Sequence, residues 1–214
     1  GYGKLIKLTV GDSVTNIEGY AFNGCGLLKS VTIGDSVMRI RSYAFKDCRS
    51  LKSVTIGNSV YSIGDHVFEN CGSLLNIVIP DSVEIIDDGA FKGCDLLTSI
   101  TVGKGLTKIR NNIFGGSDLI TNIIVGNGVT DIEAYAFRDC RSLKSITLPA
   151  GLKTIGEGAF DKCKSLVNVF YKGTTDTWCD IEFYDYLSNP LYYANNLYID
   201  GKVVTEANIT TAAR

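Results

Sequence analysis

Histidine, tryptophan and methionine each occur once in these 214 residues, and proline three times. With a single imidazole, His66, and no C-x-x-C spacing among the seven cysteines, the clusters that hold a metal ion are missing. Charge of one sign is also scarce. Lys and Arg number 21 against 23 Asp and Glu, so the basic surplus that phosphate binding requires is absent. No run approaches the roughly 18 apolar residues of a membrane span, and no basic-then-apolar leader opens the chain. Nucleic acid, membrane insertion and cofactors are therefore not expected. The first residues, Gly1 to Val10, already read as part of a repeat, so the natural start is expected upstream.

What is present is one unit, copied. Phenylalanine recurs every 23 residues at Phe22, Phe45, Phe68, Phe91, Phe114, Phe137 and Phe160. Isoleucine keeps the same beat from Ile17 to Ile155 without a break. Cysteine does so at Cys25, Cys48, Cys71, Cys94, Cys140 and Cys163, with Ser117 in the one gap. Such a period marks a solenoid. In the unit Leu28–Ser50, Leu28, Val31 and Ile33 give a strand with inward residues alternating near its end. Gly34-Asp35-Ser36 gives a turn, and Val37 with Ile40 a second apolar edge. Ala44, Phe45 and Cys48 have spacings that suit a short helical turn opposite the strand.

One coil cannot stand alone. About eight inward side chains contribute roughly 1.5–3 kcal/mol each, while ordering the backbone of the whole unit costs about 1–2 kcal/mol per residue. Stacking is obligatory, with strands pairing in a parallel sheet. The expected fold is an α/β leucine-rich-repeat solenoid, a right-handed stack of about seven coils over residues 1–171, rising about 34 Å. Beyond Tyr171 the beat stops. Residues 172–207 are expected to cap the core, with Asp200-Gly201 turning a hairpin, and 208–214 to be frayed or the start of further repeats.

The pattern L-x-x-V-x-I-(G/P)-x-S-V-x-x-I-x-x-x-A-F-x-x-C resembles the BspA-like leucine-rich repeat of bacterial and some protozoan surface proteins. LKSVTIGNSVYSIGDHVFENCGS and LKSITLPAGLKTIGEGAFDKCKS carry it almost completely; Val67, Ile113 and Ser117 depart from it. The resemblance implies an extracellular or cell-surface binding or adhesion role. It brings no catalytic residues, so the chain is not expected to be an enzyme.

Each candidate for chemistry has a plainer role. The ladder cysteines read as small buried hydrophobes rather than disulfides, since parallel side chains in a stacked column point poorly for bridging. Cys179 stands outside that ladder, the thiol most open to solvent, with packing in the cap as its expected place. His66 shares its column with Tyr20, Tyr43, Gly89, Asn112, Tyr135 and Gly158, which reads as a tolerant surface position without structural demand. Asp12, Asp35, Asn58, Asp81 and Asn127 read as turn formers rather than a calcium ladder, which needs converging carboxylates. Asp87 and Asp88 are neighbours that need not converge.

The outward residues of the strands are the most informative. Asn76, Val78, Thr101, Asn122, Ile124, Thr147, Asn168 and Phe170 would lie on one nearly uncharged sheet face, either as residues that simply suit strands or with Val78, Ile124 and Phe170 as anchors for a protein or glycan. Trp178, Tyr184 and Tyr186 in the cap offer a second site, against packing over the core end. Asn208-Ile209-Thr210 matches a glycosylation acceptor. Three functions stay open: an adhesion module, a spacer within a longer surface protein, and a targeting region that delivers a catalytic domain lying outside these residues. Apart from weak pairing through the first strand edge, a monomer is expected.

Overall fold

Alternation along each strand decides which side chains enter the core. In Asn76–Ile79 and Ser99–Val102 every second residue is buried and the others are exposed, as the two-residue period of a strand requires. Because the repeats are equal in length, every strand lies parallel to its own copy: Ser30 beside Ser53, Asn76 beside Ser99, Ser145 beside Asn168. The computed structural model describes residues 3–204. The glycosylation acceptor at Asn208, the tail 208–214 and the end of the expected cap lie outside them.

The strand face is built from two sheets. Lys7–Val10, Ser30–Ile33 and Ser53–Thr55 form the first. A seven-stranded sheet begins at Asn76–Ile79 and runs through the later coils to Asn196–Ile199, closed by Lys202–Val203. Between them, the bond from the Leu75 amide to the Lys52 carbonyl is stretched to 3.4 Å. The isoleucine column forms a second edge of two-residue parallel strands, such as Arg39–Ile40 beside Ser62–Ile63.

The third side corrects the sequence reading. Ala44, Phe45 and Cys48 do not sit on a helical turn; among the described residues no helix occurs within the repeats. Their backbone donors instead alternate. Tyr43, Phe45 and Asp47 donate to Asp65, Val67 and Glu69 of the next coil, while Ala44, Lys46 and Cys48 donate three residues back, to Arg41, Tyr43 and Phe45. A helix would keep all six bonds inside one coil; this alternation gives three of them to the stack, at the expense of left-handed backbone. Tyr20, Tyr43, His66, Asn112 and Tyr135 have φ between 52 and 63°, as do Gly89 and Gly158 in the same column. That column therefore carries a demand after all, on the backbone rather than the side chain. A second left-handed column follows at Gly24, Asp47, Asn70, Gly93, Gly116, Asp139 and Lys162.

Inside, the phenylalanines stack coil upon coil with centroids 5.3–5.9 Å apart and planes within 24°. Each ladder thiol from Cys48 onward donates to the carbonyl of the phenylalanine one coil back, as Cys71 does to Phe45 and Cys163 to Phe137. Ser117 makes the same bond to Phe91 with its hydroxyl, 3.5 Å. The column thus asks for a small side chain with one donor, which both residues supply.

Residues beyond Tyr171 form a longer last coil. Glu182–Phe183 pairs with the second edge at Thr154–Ile155, and Asn196–Ile199 pairs in parallel with Asn168–Tyr171. Asn168 has Asn196 as its register partner, where the earlier strands pair with the equivalent residue of an ordinary repeat. A short helix, Thr175–Cys179, starts at a Thr174–Thr177 capping box. It buries Trp178 edge-on against Tyr171 at 5.3 Å. Asp200 and Gly201, both left-handed, turn the closing hairpin.

Candidate functional site

The parallel register brings the outward strand residues into two straight columns. Asn76, Ser99, Asn122, Ser145 and Asn168 lie side by side, and two residues along run Val78, Thr101, Ile124, Thr147 and Phe170. All eight candidate face residues therefore share one surface. Exposure is 61% at Val78, 49% at Ile124 and 37% at Phe170. No ionisable residue occurs in either column from Asn76 to Phe170.

One member of this surface was not found from the sequence. Tyr198 extends the second column, and its ring stacks on Phe170 at 4.7 Å and 21°. It follows Phe170 by more than one repeat length, off the beat that located the others. Beside the pair an open groove of about 820 Å³ runs between the face and the last coil, lined in part by Ala150, Lys172, Thr174 and Asp200.

The cap aromatics do not make one site. Trp178 is withdrawn from the candidates, because it is buried between Tyr171 and Phe183 as part of the core's end. Tyr184 and Tyr186 are exposed. The Tyr184 amide, however, bonds to Ile155 on the second edge, and the Tyr186 ring tilts against Tyr192 at 5.1 Å. Cys179, expected to pack in the cap, is exposed.

Elsewhere the polar residues tie coil to coil. His66 is half-buried, stacked on Tyr43 at 5.3 Å, and Tyr43 stacks on Tyr20 at 4.8 Å. Its Nδ1 lies 3.3 Å from the buried carboxylate of Glu69, which also meets the Lys46 ammonium at 2.7 Å. The hydrogen bond to Glu69 raises the Lys46 pKa above its ordinary value. The Cys71 thiol is buried and bonded to Phe45, so it forms no dyad with His66. Asp35 and Asp81 accept the backbone N–H of Asn58 and Lys104 one coil on, at 2.8 and 2.9 Å, which is a stacking role for that column. Asp87 turns to Arg110 and Asp88 to Asn111, in separate contacts. Among the described residues no group of three His, Cys, Asp or Glu is placed to hold a metal ion.

A stack of similar coils whose strands line one side of the molecule defines a repeat solenoid that serves as an interaction scaffold. The chain belongs to the BspA-type leucine-rich-repeat family: the profile of that region, in six copies, matches residues 1–120, 61–189 and 107–212. Solved structures agree on the fold. A leucine-rich repeat protein from Bacteroides ovatus superposes with a TM-score of 0.74 at 22% identity, over 92% of this chain and 55% of that one. A leucine rich cell surface protein from Faecalibacterium prausnitzii gives 0.60 at 26% identity, over 84% of this chain and 63% of that one. The T. pallidum leucine rich repeat protein gives 0.61 at 23%, over 91% and 79%. The chain thus spans less than two thirds of the first two. No curated protein matches its sequence.

Proposed function

We propose that the chain is a non-catalytic adhesion module displayed at the cell surface, which binds a protein or glycan along the strand face. The observation that supports this reading is the uncharged face itself, where Val78, Ile124 and Phe170 stay exposed in register on a rigid sheet. Rigid elements lose little entropy on binding, and apolar side chains held in register on one face offer a ligand fixed anchors. A surface location is carried over from the Faecalibacterium protein, whose description places it there.

The test is a screen of the chain against matrix proteins and a glycan array, beside a variant with Val78→Asp, Ile124→Asp and Phe170→Asp. All three side chains point away from the core, so circular dichroism of the variant is expected to match the parent. Saturable binding that falls at least tenfold in this variant, yet survives Tyr20→Ala on the turn side, supports the reading. A well-folded chain that binds nothing overturns it in favour of a spacer role.

A further inference from the structure

The larger sheet carries a second, slower rhythm on its outward face. Asn76 and Val78 are followed by Ser99 and Thr101, then Asn122 and Ile124, Ser145 and Thr147, Asn168 and Phe170. Asparagine with an apolar residue alternates with serine and threonine, coil by coil. The register sets these strands directly beside one another, so the surface repeats every second strand, about 9.4–9.8 Å. The earlier strands, with Thr9, Thr32 and Thr55 in the anchor column, lack the alternation.

We propose that this strip receives a polypeptide segment in the polyproline II conformation, with proline or another apolar residue at every third position. The proposal rests on the scaffold reading above and names its ligand class. A polyproline II chain turns every three residues at about 3.1 Å each, so like side chains recur about every 9.3 Å along one edge. Two turns span about 18.6 Å, against about 19–20 Å from Val78 to Phe170. An extended β-strand repeats about every 6.7 Å and misses the middle anchor. Two turns of α-helix advance about 10.8 Å and drift by more than about 2 Å over the same strip.

The polar column fits the same ligand. A polyproline II backbone has no internal hydrogen bonds, so its carbonyls need outside donors. Asn122 accepts through Oδ1 from the Ser145 hydroxyl at 2.8 Å, and Asn168 through Oδ1 from the Asn196 amide at 2.9 Å. This leaves the N–H₂ group of each asparagine as the donor. Charge is complementary as well: neither column carries an ionisable side chain, so an uncharged segment docks without stranding a desolvated charge. A glycan fits less well. Val78 and Ile124 offer no ring for a sugar to stack on, and the Phe170 ring is stacked with Tyr198.

The experiment is fluorescence anisotropy with a labelled uncharged peptide carrying proline at every third position. A second peptide of the same composition has its prolines grouped together. Both are titrated with the parent chain and with Ile124→Thr, which places at the central anchor the residue already accommodated at positions 101 and 147. Saturable binding of the spaced peptide, at least tenfold weaker for the grouped peptide and for Ile124→Thr, is the expected result. Equal binding of both peptides, no effect of Ile124→Thr, or binding of glycans with none of the spaced peptide overturns the proposal. If the triple-Asp variant loses a protein or glycan ligand while the spaced peptide never binds, the proposal falls and the scaffold reading stands. A folded chain that binds neither array nor peptide overturns both.

Discussion

Raising the pH from 9 to 10 is expected to remove about 5 kcal/mol of folding stability, as much as many domains possess. Five buried thiols carry the effect. Burial pushes Cys48, Cys94 and Cys163 from the ordinary 9.0 up to about 12, and raises Cys71 and Cys140 well above 9.0. The neutral thiol is the species that fits, donating to a phenylalanine carbonyl in an apolar column. Below the unfolded pKa both states hold these protons and the full stability is present. Above it the unfolded chain releases protons that the folded chain keeps well past pH 9, so stability falls throughout that window. Each thiol contributes about 1 kcal/mol between pH 9 and 10, as the unfolded thiol goes from half to almost fully ionised. Urea unfolding at pH 8, 9 and 10 measures the slope, and Cys94→Ser isolates its cause. Serine already serves this column at Ser117, so the variant should fold, and lose about 1 kcal/mol less between pH 9 and 10. Because lysine and tyrosine titrate in both proteins, identical slopes would show that Cys94 is not held protonated.

Phe91→Ala is expected to cost about 3–5 kcal/mol and to divide the stack. Phe91 is fully buried and lies between Phe68 at 5.4 Å and Phe114 at 5.9 Å. In a solenoid each coil contacts only its neighbours, so a cavity in mid-stack weakens one interface rather than the whole. The two halves should then unfold separately. Trp178, buried in the last coil, reports on the C-terminal half, while far-ultraviolet circular dichroism reports on all coils. The two signals should coincide for the parent in urea and separate in Phe91→Ala, with ellipticity falling first. Coincident transitions at an unchanged midpoint would contradict the nearest-neighbour account.

The stack was legible in the sequence because its core admits little variation. Phe45 and its six copies meet ring to ring, and Ile40 and its copies pair in register, so both columns repeat without a gap. The turn side was misread because Ala44, Phe45 and Cys48 have the spacing of a helical face. The contrary signal lay in the column after Lys46: Gly24, Asp47, Asn70, Gly93, Gly116 and Asp139 are residues that tolerate left-handed backbone. Only Lys162 departs from that set. Cross-coil ion pairs were also present, as charges of opposite sign one repeat apart. Glu18 with Arg41 at 3.2 Å and Asp87 with Arg110 at 3.4 Å follow that rule. Tyr198 escaped because the last coil is longer than the others, which shifts its strand off the period while keeping its place in the sheet. The face could be listed from alternation alone. Its two-coil rhythm acquires meaning only when the register places Ile124 midway between Val78 and Phe170.

The central claim, that this family member binds through its strand face, is tested most directly by hydroxyl-radical footprinting of the chain with a partner identified on the array. Oxidation of Val78, Ile124, Phe170 and Tyr198 should slow in the complex, while Tyr20, Tyr184 and Tyr186 keep their free rates. Protection of the tyrosines on the turn side and last coil, with the four strand-face residues unchanged, would contradict it.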